Sequence, residues 1–251
     1  MGARLPGGKD SGAELVDGTV RRPVRAWTAT VHALLRHLEL RGFHGAPRVR
    51  GIDTLGREVL SLVEGETVGD AEPWPAWTHT EGALDDIGRW LRAYHAAVAD
   101  FRPSADATWR DGGSWAPGLI IGHGDPAPYN AVWDAQGLVG LIDWDDAGPV
   151  HPSDDLAWVA FSWTPLHARS VVLREGFTDL GRRRERLERI LEAYGRPGAT
   201  AEILERIDAR LTVQVRSMRV AAAAGDRVRA RMVAERLDEL LEEAQAGLAE
   251  L

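Results

Sequence analysis

Three polar side chains, at a spacing that could serve phosphoryl transfer, stand out in the middle of the chain. Asp125 follows an apolar run, Asn130 comes five residues later, and Asp143 ends a second apolar run, residues 138–142. Phosphoryl transfer needs an oriented hydroxyl and neutralised phosphate charge. A carboxylate can orient the hydroxyl, and oxygen donors are the ligands that Mg²⁺ prefers. We therefore predict Asp125 as the catalytic base, with Asn130 and Asp143 as the Mg²⁺ ligands.

The segment around these residues predicts the elements that bring them together. Residues 118–145 contain apolar runs separated by a polar loop and a glycine turn, which indicates the order strand, loop, strand, turn, strand. Two prolines, Pro126 and Pro128, restrict the loop between Asp125 and Asn130. Pairing of residues 131–133 with residues 138–142 in a hairpin would return Asp143 to the side of Asn130.

The flanking regions predict two parts of different character. Residues 1–65 indicate two hairpins, 13–16 with 19–24 and 48–53 with 57–63, around a helix whose inner face holds Val31, Leu34, Leu35 and Leu38. Residues 66–251 begin with a proline-punctuated connector, and the sequence predicts that most of the rest is helical. Their apolar spacing predicts one helix over residues 84–98, a long one over 204–218, and a single helix after Asp226. We predict lobe boundaries at 1–65 and 66–251.

Composition narrows the possible functions. The chain has 251 residues, 44% of them hydrophobic, and a formal net charge of −8, which disfavours a nucleic-acid-binding surface and suits a neutral or cationic ligand. Cysteine is absent, so thiolate chemistry and disulfides are excluded. We find no run of about 18 apolar residues and no apolar signal-peptide core. We therefore expect a cytoplasmic protein without membrane or nucleic-acid partners.

The catalytic segment resembles a known family. His123-Gly124-Asp125 followed by Asn130 and the strand ending Ile142-Asp143-Trp144 is similar to the signature of the aminoglycoside phosphotransferase and choline kinase-like family, HGDxxxxN with IDW or IDF. The GPVHPSDDLA stretch that follows, including Asp155, also fits. The resemblance covers residues 48–160 most clearly.

This resemblance implies a fold and a reaction. The fold is α+β, a bilobal protein-kinase-like fold with a small, reduced β-rich N-terminal lobe that binds nucleotide and a mostly helical C-terminal lobe for catalysis and substrate binding. The enzyme would be a Mg²⁺-dependent small-molecule kinase that uses ATP or GTP. Its acceptor would be the hydroxyl of an aminoglycoside-like antibiotic, an amino alcohol or a related metabolite.

The nucleotide-binding side departs from the family pattern. The family has a lysine on the third strand paired with a glutamate on the next helix, whereas residues 19–23 read TVRRP and no carboxylate stands near Val31 or His32. Arginine binds phosphate through a fork of donors but does not replace lysine isosterically. We expect His123 to act in the catalytic loop, chiefly by hydrogen bonding. The donor-binding residues that the resemblance implies are Arg21, Arg22, Gly7, Gly8, Leu62 and Glu64.

Two other functions stay open from the sequence. The missing lysine and glutamate would suit a pseudokinase, or a module that binds nucleotide or ligand without turnover. A metal-dependent hydrolase could use His123, Asp125, Asp143, Asp145 and His151. We rank the hydrolase below phosphoryl transfer, because metallohydrolases usually gather several histidines, whereas here an asparagine holds a defined place.

Overall fold

The N-terminal part of the chain forms a five-stranded antiparallel sheet. The computed structural model describes the strand Ala3–Arg4 and residues 12–251, so Gly7 and Gly8 lie outside the described residues. The strands are β1 (Ala3–Arg4), β2 (Glu14–Val16), β3 (Thr19–Pro23), β4 (Val49–Ile52) and β5 (Arg57–Ser61), in the order β1-β2-β3-β5-β4. Asp17 and Gly18 form the two-residue turn between β2 and β3, both with positive φ, as such hairpins favour. Both predicted hairpins are confirmed.

One helix packs beside this sheet. Helix α1 (Thr28–Leu40) buries its four predicted apolar residues, and Gly42 follows its end with φ +71. Because these residues recur every three or four positions, they share one face of the helix. They belong to the same hydrophobic core as Leu60 of β5 and Leu84 further along the chain. The core is therefore continuous from the sheet into the helical part.

The helical part consists of seven helices within the described residues. They are α2 (Glu81–Val98), α3 (Pro152–Trp163), α4 (Arg169–Arg174), α5 (Arg183–Tyr194), α6 (Thr200–Ala223), α7 (Arg227–Ala234) and α8 (Leu237–Leu248). Helix α2 packs on α5, and α6 packs on α3 and α8. The prediction of a single helix after Asp226 is wrong. Arg236 adopts a left-handed backbone with φ +63, which interrupts the helical hydrogen-bond ladder and separates α7 from α8.

Four short strands lie between α2 and α3 and carry the predicted catalytic segment. Strand β6 (Ile120–Gly122) pairs with β9 (Gly148–Val150), and β7 (Ala131–Asp134) pairs with β8 (Gly137–Leu141). The predicted order of strand, loop, strand, turn, strand is confirmed, and the hairpin pairs Ala131 with Leu141. The end of β8 is thereby brought next to the start of β7.

The connection between the two parts runs through Gly65. The sheet ends at Ser61, and Glu66 then exchanges two backbone hydrogen bonds with Trp133 of β7. Gly65 has φ +147, and a Cβ there would lie 2.6 Å from the Trp133 carbonyl oxygen, so only glycine fits without a shift. We propose the lobe boundary at this residue. Across the described ranges, no helix has both the length and the apolarity that a membrane crossing needs.

Candidate active site

The Asp125 carboxylate is held by two neighbouring donors. The Tyr129 hydroxyl donates to Oδ1 at 2.8 Å, and Asn130 Nδ2 donates to Oδ2 at 2.9 Å and to the Asp125 backbone oxygen at the same distance. Residues Pro128–Asn130 form a short 3-10 turn, which sets the direction of both donors. The turn therefore fixes the carboxylate and uses the amide nitrogen of Asn130, so the amide oxygen remains for another contact.

Asp143 is anchored to the same loop through its neighbour Ile142. The Ile142 backbone N–H donates to the Asn130 carbonyl at 2.9 Å, and His123 Nε2 donates to the Ile142 carbonyl at 3.0 Å. Burial lowers the pKa of His123, although Asp125, Asp143 and Asp155 oppose this, so the ring is neutral and donates one N–H. Asp143 has φ +60, an uncommon conformation for a residue with a side chain. Asp125 and Asn130 are thus hydrogen-bonded to each other, and Asp143 is joined to Asn130 through the backbone of Ile142.

Gly124 lets the catalytic loop approach the turn after Asp143. Its φ is +87, and a Cβ there would lie 1.9 Å from the Asp146 carbonyl oxygen. On the far side of the loop, Asp155 lies in the first turn of α3 and accepts a hydrogen bond from His95 at 2.9 Å. A Cβ at Gly122 would meet the Asp155 carboxylate at 2.5 Å. The loop is therefore confined on both sides by close backbone packing.

Arg22 of β3 reaches this unit from the sheet. Its Nη1 donates to Asp143 Oδ1 at 3.0 Å, Nη2 donates to Asp145 Oδ1 at 2.8 Å, and Nε donates to Glu58 Oε1 at 2.5 Å. Burial alone would lower the pKa of Arg22, but the three carboxylates offset this and leave the pKa raised. The guanidinium is therefore charged. Arg21 instead pairs with Asp53 at 3.3 Å, so the structure brings Arg22 and not Arg21 to the predicted site.

Two residues near Arg22 were missed by the sequence reasoning. Glu58 of β5 is 2% exposed, and its second oxygen accepts a hydrogen bond from His32 Nε2 of α1 at 2.9 Å. A signal did exist in the strand. Successive strand residues face opposite sides, so Glu58 shares the inward face of Leu60 and is a carboxylate at a core position. No carboxylate lies near Val31 or His32 on the helix, as the sequence indicated, and strand β5 supplies one instead.

A cavity of about 770 Å³ lies between the sheet and the helical part. Arg22, Asn130 and Asp143 all line it, together with Leu62 of the connector, whereas Glu64 is exposed to solvent. Its apolar walls come from both sides of the cleft. They include Val20, Leu60, Val132 and Ile142. The cavity thus combines an apolar surface that suits a flat ring with a polar corner of opposite charges.

The same cavity is lined by aromatic and acidic residues beyond the catalytic unit. Trp74 and Tyr129 meet edge to face with ring centroids 6.5 Å apart, and Asp70 and Glu72 also line the wall. Nearby, burial raises the pKa of Glu175 to about 7, with Arg174 opposing and Glu72 adding to the rise. Burial likewise raises the pKa of Asp146 to about 6, against the effect of Arg110. The surroundings are therefore rich in carboxylates.

The residues of the hydrolase alternative do not form a metal-binding group in the part of the chain that the structure describes. No three His, Asp or Glu side chains there are grouped as metal ligands. His151 is instead used by the fold, since its Nδ1 accepts from the Ser153 backbone N–H at 3.2 Å and caps α3. His151, one of the five residues of that alternative, therefore serves as a helix cap.

Comparisons with known proteins agree with this geometry. A family model described as "Phosphotransferase enzyme family" matches residues 106–187. The trifolitoxin immunity protein of Rhizobium leguminosarum bv. trifolii is 38% identical over 196 residues, which cover 76% of this chain and 73% of that protein.

Solved structures show the same fold at low identity. The GDP complex of aminoglycoside 2'-phosphotransferase-IIIa superposes with a TM-score of 0.61 at 16% identity, over 98% of this chain and 92% of that chain. A choline/ethanolamine kinase family protein from Mesorhizobium loti gives 0.61 at 17% identity, over 99% and 92%. Choline kinase LicA from Streptococcus pneumoniae gives 0.58 at 16% identity, over 100% and 94%.

The fold is the bilobal, protein-kinase-like α+β fold of these structures, which confirms the predicted fold class. More particularly, the chain belongs to the phosphotransferase enzyme family, to which its sequence resemblance pointed. The predicted enzyme class, a small-molecule kinase, is confirmed by this membership.

Proposed function

We propose that this chain transfers the γ-phosphate of ATP or GTP to a hydroxyl of a small molecule in a Mg²⁺-dependent reaction. The observation that carries the proposal is the hydrogen-bonded unit formed by Asp125, Asn130 and Ile142, of which Asn130 and Ile142 line the cleft together with Asp143. Phosphoryl transfer depends on positioning and charge neutralisation, and such a unit can supply both.

The donor set fits a hard divalent cation. The amide oxygen of Asn130 is left available because Nδ2 is committed to Asp125, and the Asp143 side chain is 47% exposed. Both are oxygen donors of the kind that Mg²⁺ selects. When bound, the ion would neutralise charge on the donor phosphates. Asn130 and Asp143 would hold it, Asp125 would accept the proton of the acceptor hydroxyl, and His123 would keep the loop and the strand end in register.

The donor nucleotide would occupy the apolar part of the cleft. Leu60 and Val132 can cover the faces of a base, and the backbone near Leu62 and Glu64 can meet its edge. Arg22 would bind the phosphates because it lines the cleft beside Asp143, whereas Arg21 pairs with Asp53 and does not line the cleft. The contacts predicted for Gly7 and Gly8 stay predictions. One structural neighbour holds GDP, so both purine nucleotides belong in the assay.

The acceptor would be a hydroxylated compound that is neutral or cationic. The aromatic pair Trp74 and Tyr129, with Asp70 and Glu72 on the same wall, suits an ammonium-bearing molecule. Relatives named for aminoglycosides, for choline and for immunity to trifolitoxin set the first panel of acceptors. The relationship to an immunity protein makes modification of a toxic compound the biological role that we propose.

The proposal is tested by phosphate transfer from ATP and GTP to this panel. Asp125→Asn and Asp143→Asn should each lower kcat by about 10²-fold or more, because they remove the proton acceptor and a charged ligand. Asp134→Asn, on the exposed end of the β7–β8 hairpin, is the matched control and should keep full activity. An unaffected Asp125→Asn enzyme would refute the assignment. Nucleotide binding without turnover would instead support the binding-module alternative.

A further inference from the structure

A buried chain of hydrogen bonds runs from helix α1 through strand β5 to the catalytic cleft. His32 Nε2 donates to Glu58 Oε2 at 2.9 Å, and Glu58 Oε1 accepts from Arg22 Nε at 2.5 Å. His32, Glu58 and Arg22 are 4%, 2% and 6% exposed. Side chains this buried lose their water contacts, so they need partners in the protein. Each of the three has one.

This chain of contacts fixes the plane of the Arg22 guanidinium. Glu58 Oε1 accepts the hydrogen bond from Arg22 Nε, and Glu58 Oε2 accepts the hydrogen bond from His32 Nε2. The two remaining nitrogens, Nη1 and Nη2, therefore face the cleft and donate to Asp143 and Asp145. A guanidinium is a rigid planar fork, so an anchor at Nε determines where both Nη groups lie.

The carboxylates around Arg22 outnumber its single positive charge, so an additional cation can bind beside them. One guanidinium faces three carboxylates, those of Glu58, Asp143 and Asp145. Glu58 is fully enclosed, but Asp143 has an exposed side chain that lines the cleft. If Asp143 is committed to Mg²⁺, as proposed above, the Arg22 Nη1 that bonds it becomes free for a phosphate oxygen. The Glu58 contact can persist through this exchange of partners.

We infer that Glu58 and His32 are positioning residues, which hold the Arg22 guanidinium at the place where it binds the phosphates of the donor nucleotide. The inference rests on the proposed function and deepens it, because it assigns the support of the phosphate-binding cation to a strand carboxylate and a helix histidine. It also explains how an arginine can bind phosphate at the position where the family has a lysine. The planar guanidinium binds phosphate through both of its Nη groups only when its plane is correctly oriented, whereas an ammonium group needs less exact alignment.

The neighbouring Arg21 provides an internal comparison. It lies on the opposite face of β3, where it pairs with Asp53 near the β4–β5 turn. Arg21 and Arg22 thus share a strand, a charge and a size but not an environment. Substitution of Arg21 perturbs the sheet surface and leaves the chain from His32 to Arg22 untouched.

The experiment measures the Kd of Mg·ADP and Mg·GDP by calorimetry for a graded set of variants. His32→Leu removes the donor to Glu58 and Glu58→Gln removes the charge that anchors Arg22, so each should raise Kd by about tenfold or more. His32→Gln restores an N–H donor and should stay within about threefold of the parent chain. Arg22→Lys should behave like Glu58→Gln. Arg21→Gln should remain within about twofold.

A second readout separates positioning from general damage to the fold. With the acceptor identified by the panel, KM for the nucleotide should rise in the Kd order, while KM for the acceptor changes by less than about twofold. Near-UV circular dichroism and the melting temperature verify that each variant is folded. Glu58→Gln is preferred to alanine, because truncation would leave a buried charge without a partner.

The outcomes distinguish this inference from the proposed function. Equal Kd values for folded His32→Leu, His32→Gln and the parent chain would overturn the inference alone. A parent chain that binds Mg·nucleotide but transfers no phosphate would overturn the proposed reaction, while the graded Kd order would still uphold the positioning roles. A parent chain that binds neither nucleotide would overturn both.

Discussion

Substitution of Gly124 by alanine is expected to displace the catalytic loop. Gly124 has φ +87, where an L side chain costs about 1–2 kcal/mol. The new Cβ would lie 1.9 Å from the Asp146 carbonyl oxygen, whereas ordinary contact begins near 3.4 Å, so the loop and the turn must separate by about 1.5 Å. Misplacement of a catalytic group by about 1 Å costs on the order of 10²-fold in rate. We therefore expect kcat to fall by about 10²-fold or more.

Gly118→Ala is the matched control for this change. Gly118 has φ +94, but a Cβ there meets nothing within 4 Å, so it suffers the backbone strain without the overlap. Both variants should melt below the parent chain, and only Gly124→Ala should lose activity. The assays are thermal unfolding and steady-state transfer to the acceptor found in the panel. Retention of full kcat by a folded Gly124→Ala protein would refute the reasoning, as would an equal loss in Gly118→Ala.

Two further predictions concern Tyr129 and Glu175. Tyr129→Phe removes the hydroxyl that donates to the Asp125 carboxylate, so kcat should fall by about 2- to 12-fold with little change in melting temperature; an unchanged kcat would contradict this. Glu175 has an ordinary pKa of 4.5 and a folded-state pKa of about 7, so folding favours its protonated form and stability falls as pH rises from about 4.5 to 7. Glu175→Gln should therefore raise the free energy of unfolding by up to about 3 kcal/mol at pH 8 and leave it nearly unchanged at pH 4.5. Thermal or urea unfolding at the two pH values checks the sign, and equal gains at both would rule out the titration of Glu175 as the cause.

Much of the architecture could be predicted because it depends on local patterns. Apolar residues at helical spacing located α1 and α2, and the run ending in Asp143 located β8, whose pairing with β7 follows from the short turn between them. The helix after Asp226 was misjudged at Arg236. A left-handed arginine is set by local tertiary packing and leaves no glycine or proline to mark it.

The unpredicted part of the site depends on contacts between residues distant in sequence. Arg22 and Asp143 are 121 positions apart in the sequence, and His32 and Glu58 are 26 positions apart. Neither spacing follows from periodicity. The alternation of β5 did place Glu58 inward, but its partners became identifiable only when the sheet order β3-β5 put Arg22 and Glu58 on neighbouring strands. The sequence therefore predicted the loop that holds Asp125 and Asn130, but it did not predict that Glu58 and His32 hold Arg22 in place.

The central claim, that Asp125, Asn130 and Asp143 surround one metal-bound phosphate site, is tested most directly by a crystal structure with Mg²⁺ and a non-hydrolysable ATP or GTP analogue. We predict an ion at about 2.0–2.3 Å from Asn130 Oδ1 and an Asp143 carboxylate oxygen, with the terminal phosphate facing Asp125 and the base between Leu60 and Val132. An ion or nucleotide bound elsewhere, with Asn130 and Asp143 free of metal, would contradict the account.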